Sequence, residues 1–124
     1  MAKTLCKTFG VVLLVVGIAG FVRHDLLGMH LTGIHNVVHI LTAGIALYLG
    51  FAGTASAART FGLVFGAIYL LLGVLGFVAP GVVATIIGVG HDAGLGPDSI
   101  VHLLLGAIFL IVGLLPEPKT VATA

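Results

Sequence analysis

Six histidines and four acidic residues are the groups in this 124-residue chain best suited to proton or metal chemistry. His24, His30, His35, His39, His91 and His102, with Asp25, Asp92 and Asp98, collect in the two segments around 23–39 and 91–102. Two pairs have a spacing that does chemistry. His35 and His39 are four residues apart, as are Asp98 and His102, so on helices each pair shares one face. Four nitrogen and oxygen donors from two helices could form a tetrahedral zinc or copper site. The run His35-Asn-Val-Val-His39 has the histidine spacing of the zinc-peptidase helix. Asn36 stands where that motif needs its glutamate base, which excludes peptidase chemistry. A structural alternative uses the same residues: Asn36 and Ser99 form a hydrogen-bonded network with His39 and His102, and Asp98, after Pro97, caps its helix. The loop histidines and acids need no function. Cys6 is the single cysteine and lies far from every histidine, and no serine or cysteine stands beside a base. The glycine-rich stretch 88–94 lacks a preceding strand and dinucleotide spacing. No enzyme activity is expected.

The elements that must position these groups are set by composition. The chain is 60% hydrophobic and only 7% charged, whereas a soluble domain carries roughly 25% charged residues. A net charge of +1 leaves no footprint for nucleic acid. The chain reads as one integral membrane domain, 1–124, whose first partner is the lipid bilayer. Four apolar stretches near 5–22, 34–53, 60–79 and 99–115 are each long enough, at about 1.5 Å per residue, to cross a ~30 Å hydrocarbon core. A further apolar segment at about 81–90 is too short to span and is expected to lie over the bundle mouth. Lys3 and Lys7 precede an apolar run as in a signal peptide, but no polar cleavage region follows, so a retained first helix is expected. Lys3, Lys7, Arg59 and Lys119 flank one side and Arg23 the other. The positive-inside rule then places both termini in the cytoplasm and the histidine end outside.

The chain also repeats itself. Residues 9–22 match 65–78 at an offset of 56, and Gly33–His39 matches Gly96–His102 at an offset of 63. A two-helix unit repeated in this way gives parallel halves, unlike inverted-repeat transporters. The expected fold is an all-α four-helix transmembrane bundle built from two parallel two-helix repeats. Gly10, Leu13, Gly17 and Gly20 line one face of the first span, and Gly62, Gly66, Tyr69, Gly73 and Gly76 one face of the third, as close-packing membrane helices require. Gly17, Gly20, Gly73 and Gly76 also admit a sharper reading. Histidines on the second and fourth spans, with glycines at similar depth on the first and third, resemble the layout of a cytochrome b bundle. One b-type haem, held by His39 and His102, would follow by analogy of layout.

Asn36-x-x-His39, Asp98-Ser-Ile-Val-His102, Gly17-x-x-Gly20-Phe21 and Gly73-x-x-Gly76-Phe77 together resemble the domain-of-unknown-function family numbered four-three-eight-three, over about residues 8–115. The resemblance implies a small four-helix protein of the bacterial inner membrane, with Asn36, His39, Asp98 and His102 as motif positions and no assigned activity. His35 falls outside that pattern. The expected role is a non-enzymatic structural or accessory subunit, associating through its glycine faces in a homo-oligomer or larger membrane complex, with no cofactor. A histidine-based metal-binding or pH-responsive module and a one-haem electron carrier are the alternatives. His39 and His102 are expected to act together in each.

Overall fold

In the computed structural model, residues 1–90 and 95–116 are described; His91 and Asp92 lie outside them. Five helices and one short hairpin follow in the order α1 (Ala2–Val22), β1 (Asp25–Leu26), β2 (Met29–His30), α2 (Gly33–Phe51), α3 (Ala55–Val78), α4 (Pro80–Ile87) and α5 (Gly96–Leu114). Four of them, α1, α2, α3 and α5, are long and apolar enough to cross a membrane. The fold is thus all-α with four potential spans.

The helix starts lie up to five residues before the expected ones, because an apolar window misses the polar first turn. Thr54 accepts a hydrogen bond from the Ala57 amide at 3.1 Å and begins α3 there, and Thr32 does the same for α2 through His35 at 3.2 Å. Pro80 and Pro97 sit in the first turns of α4 and α5, where no amide donor is needed. Asp98 does not cap α5 as expected. The N-cap is Leu95, with no side-chain hydrogen bond, and Asp98 lies in the first turn with its carboxylate engaged elsewhere. The segment 23–32 contains a hairpin that the sequence did not announce. Asp25 pairs with His30 and Leu26 with Met29 around a turn in which Leu27 and Gly28 both have positive φ, 53° and 79°. That is the backbone of a tight primed turn, which Gly28 adopts freely and Leu27 does not.

Packing divides the bundle into two pairs: α1 lies against α2 and α3 against α5, with fewer contacts between the pairs. Within each pair the glycines are where the backbones close up. Leu47, Ile40 and Asn36 of α2 occupy the space in front of Gly10, Gly17 and Gly20; Leu110, Leu103 and Ser99 of α5 do so for Gly66, Gly73 and Gly76. Every partner in the second set is displaced from its counterpart by the same two offsets that relate the sequence segments. The pairs are joined by an aromatic core. Phe9 of α1 meets Phe109 of α5 edge to face at 4.4 Å and Tyr69 of α3 at 5.9 Å, a geometry that favours the ring quadrupoles. The Cys6 thiol, buried, reaches the Ala58 carbonyl across α1 and α3. The outer faces carry half-exposed or exposed aliphatics such as Val15, Leu41, Leu71 and Ile111, a surface suited to lipid.

Candidate functional site: a buried histidine chamber

Polar side chains gather in the first three turns of α2 and the first two of α5, inside the end of the bundle that carries the hairpin. His35, Asn36, His39 and Thr42 of α2 and Asp98, Ser99 and His102 of α5 are all buried. His39 and His102 each come six residues after the first residue of their helix, a depth of about 9 Å. A polar group at such depth in a membrane span needs a partner or a task.

Two of the three histidines have their orientation fixed by main-chain carbonyls. The Nδ1 of His35 donates to the His30 carbonyl at 3.0 Å and the Nδ1 of His102 to the Asp98 carbonyl at 2.6 Å. A carbonyl only accepts, so in the neutral rings the proton sits on Nδ1 and each Nε2 keeps a lone pair. The rings stand close: His35 lies 4.3 Å from His39 and 6.0 Å from His102, centroid to centroid, nearly parallel to the latter. Tyr69 of α3 approaches His102 at 5.3 Å. Asp98, only 2% exposed, accepts the His30 amide on one carboxylate oxygen at 3.1 Å. The hairpin is thereby pinned over the chamber from both sides, by Asp98 of α5 and His35 of α2.

The chamber is not self-satisfied. Nδ1 of His39 and the second carboxylate oxygen of Asp98 are buried without a hydrogen-bond partner among the described residues. Two cavities, of about 70 and 80 Å³, flank the rings and share His35, His39, Tyr69 and His102. The first is lined by Val12 and Val16 of α1 and Val101 of α5, and also touches Asp98. The second is lined by Val38 of α2 and Leu72 of α3, with Ile86 and Ile87 of α4 against it.

Of the residues singled out from the sequence, His35, His39, Asp98 and His102 all line the first cavity. Among the described residues, however, no three His, Cys, Asp or Glu side chains stand so that they could hold a metal ion as placed. Asn36 and Ser99 turn toward other helices. The Asn36 amide fills the space at Gly20 and donates to the Leu31 carbonyl at 3.0 Å, and the Ser99 hydroxyl fills the space at Gly76. These two glycines, which the haem alternative would set against a porphyrin edge, accommodate polar side chains of the neighbouring helix. His24 is exposed in the connection after α1, and His30 pairs with Asp25 at 2.9 Å on the hairpin. Two chamber residues were not singled out for chemistry, Tyr69 and Met29. Tyr69 carried a signal, as the polar-tipped member of an otherwise apolar glycine stripe.

A family described as Domain of unknown function (DUF4383) matches residues 3–115, nearly the whole chain, and the protein belongs to that family. No curated protein and no solved structure matches the chain.

Proposed function

We propose that this member of the DUF4383 family is a non-catalytic membrane binding module whose working part is the chamber formed by His35, His39, Tyr69, Asp98 and His102. The observation that carries the reading is a pair of buried polar atoms left without partners. Nδ1 of His39 and one carboxylate oxygen of Asp98 have no hydrogen-bond partner among the described residues, and both side chains line the same cavity. A finished structural clasp pairs its groups, since each stranded one costs about 1–3 kcal/mol; a binding site holds them ready for a guest. The accessory-subunit role rests on glycine faces, and those at Gly10, Gly17, Gly66, Gly73, Gly106 and Gly113 are occupied by residues of the same chain. That favours the chamber over an association surface as the functional feature.

The test is the stability of His39→Leu in delipidated, detergent-purified protein. Cys6 is the only cysteine and is buried, so its reaction with a thiol-reactive fluorophore reports unfolding directly. Leucine keeps most of the volume and removes the unpaired nitrogen. A binding chamber predicts an unfolding midpoint equal to or above that of the native chain. A drop equivalent to 1 kcal/mol or more would mean that His39 supports the fold, as in a clasp. Elemental analysis and a visible spectrum of the same preparation test the metal and haem alternatives.

A further inference from the structure

The hairpin between α1 and α2 is fastened unequally along its length. Its base is secure. Leu31 is fully buried, its amide donates to the His24 carbonyl at 2.6 Å, and its carbonyl accepts the Asn36 amide at 3.0 Å. Thr32 follows as the cap of α2 and donates to the Ile87 carbonyl. Beyond that base, residues 25–30 have little of their own to hold them. Two strands of two residues do not make a stable hairpin unaided. The Asp25 carboxylate that pairs with His30 is 78% exposed, and such pairs contribute little. At the tip Leu27 is 87% exposed and held at φ 53°, a strained setting for leucine.

What keeps the hairpin down is therefore its contact with the opposite helix pair, across the more loosely packed seam of the bundle. Among the described residues its one hydrogen bond to that pair runs from the His30 amide to Asp98 of α5, at 3.1 Å. The turn lies against the exposed Pro97 beside it: a carbon built on Gly28 would stand 3.1 Å from the Pro97 Cγ and 3.6 Å from its Cβ. Met29, half-buried, forms part of the wall of the first cavity together with His39, Asp98 and His102. A hairpin that leaves Asp98 withdraws that part of the wall. Water satisfies the His30 amide once it is exposed, and the backbone at Leu27 is free to relax.

We propose that residues 25–30 form a hinged lid on the first cavity, latched to α5 by Asp98 and turning on the base at Leu31 and Thr32. Closed, the lid completes the cavity wall with Met29. Open, it admits water and small polar solutes to His39 and His102. Opening also changes the wall itself, because Asp98 already has one unpartnered oxygen and gives up the partner of the other. The lid stands whatever the chamber holds, and so goes beyond the binding reading above.

The test locks the lid. Gly28→Cys with Pro97→Cys places two β-carbons 3.6 Å apart, within the span a disulfide bridges. Gly28→Cys puts a side chain on a left-handed backbone, a strain that Leu27 beside it already bears. Cys6 is buried near the far end of α1 and takes no part. Diethyl pyrocarbonate, which acylates the imidazoles it can reach, reads the chamber in detergent-purified protein. His39 and His102 are compared with the exposed His24 by mass spectrometry, under conditions in which Cys6 stays unlabelled by a thiol reagent and the bundle is therefore folded. Reducing the bridge should speed acylation of His39 and His102 at least tenfold and leave His24 unchanged. In the otherwise native chain Asp98→Leu should raise the same two rates at least tenfold, whereas Asp98→Asn, which keeps an acceptor for the His30 amide, should stay near the native rate. If Asp98→Leu does not fold, the bridged variant decides alone. Equal acylation with the bridge open and closed, or none in either form, would overturn the lid. So would a cysteine pair that fails to bridge under mild oxidant, since the turn would not then rest on Pro97. A destabilised His39→Leu would leave the lid standing, and an overturned lid would leave the binding chamber.

Discussion

At Gly106 the backbone of α3 comes against α5, and this contact sets up a quantitative test of the packing. A Cβ built on Gly106 would stand 2.5 Å from the Leu70 amide nitrogen and 2.9 Å from the Gly66 carbonyl oxygen and the Leu70 Cα. All three are backbone atoms in the middle of a 24-residue helix, so no side-chain rotation relieves the overlap. To restore ordinary contact α3 and α5 must move apart by roughly half an ångström or more, enough to forfeit a quarter to a half of the dispersion energy of the atoms they share. Overpacking of this kind costs about 1–3 kcal/mol, offset by up to about 1 kcal/mol of helix propensity gained on replacing glycine. The net expectation for Gly106→Ala is a loss of about 1–2 kcal/mol. Gly44→Ala is the matched control, since nothing lies within 4 Å of its added carbon; it should be neutral or stabilising by up to about 1 kcal/mol. Unfolding in mixed micelles with increasing denaturing detergent, followed by Cys6 reactivity, compares them. If Gly106→Ala proved no less stable than Gly44→Ala, the close α3–α5 contact would be refuted.

Gly20→Ala should cost about 2 kcal/mol because its new carbon falls on the Asn36 amide. Gly20→Ala with Asn36→Ala should cost clearly less than the sum of the singles in the same assay, and additivity within about 0.5 kcal/mol would separate the two residues. Arg59 donates to the Gly113 carbonyl at 2.5 Å and to the Leu114 carbonyl at 3.5 Å, closing the C-terminal end of α5. Arg59→Met, which keeps the apolar stem, should lose about 1 kcal/mol after allowance for its partial exposure. Amide exchange in the last turn of α5 should rise with it.

The spans were legible because a run of some twenty apolar residues has few other uses, and the pairing of His35 with His39 and of Asp98 with His102 followed from helical spacing alone. What spacing could not give was the neighbour each face meets. Asn36 is one residue from His35, hence turned about 100° around the helix; that rotation takes its amide away from the histidines and onto Gly20 of α1. Ser99, one residue after Asp98, makes the same turn toward Gly76. The hairpin was hidden because its strands are two residues each and its turn is Leu27-Gly28, without the Asn-Gly or Asp-Gly pair that marks a primed turn. Tyr69 was legible only as a member of a packing stripe, since nothing in α3 says which residue of the opposite pair it will face.

The chamber lies where the likeness between the two pairs of helices is weakest, and that bears on how a site arises in such a bundle. At the Gly10, Gly17 and Gly20 contacts the second pair repeats the first position for position. At the chamber the same offsets relate His39 to His102, but they set His35 opposite Asp98 and Leu13 opposite Tyr69. The cavities follow suit: Val16 and Val101 flank the first and their counterparts Leu72 and Val38 the second. The covers differ. Met29 of the hairpin reaches the first cavity, whereas α4 lays Ile86 and Ile87 against the second, with the Thr32 hydroxyl donating to the Ile87 carbonyl. A strictly repeated chain would present two identical histidine-lined recesses with identical access. Here one recess carries the carboxylate and the other is backed by a helix tied to the α2 cap. The differences between the halves therefore leave one polar chamber with unlike recesses on its two sides.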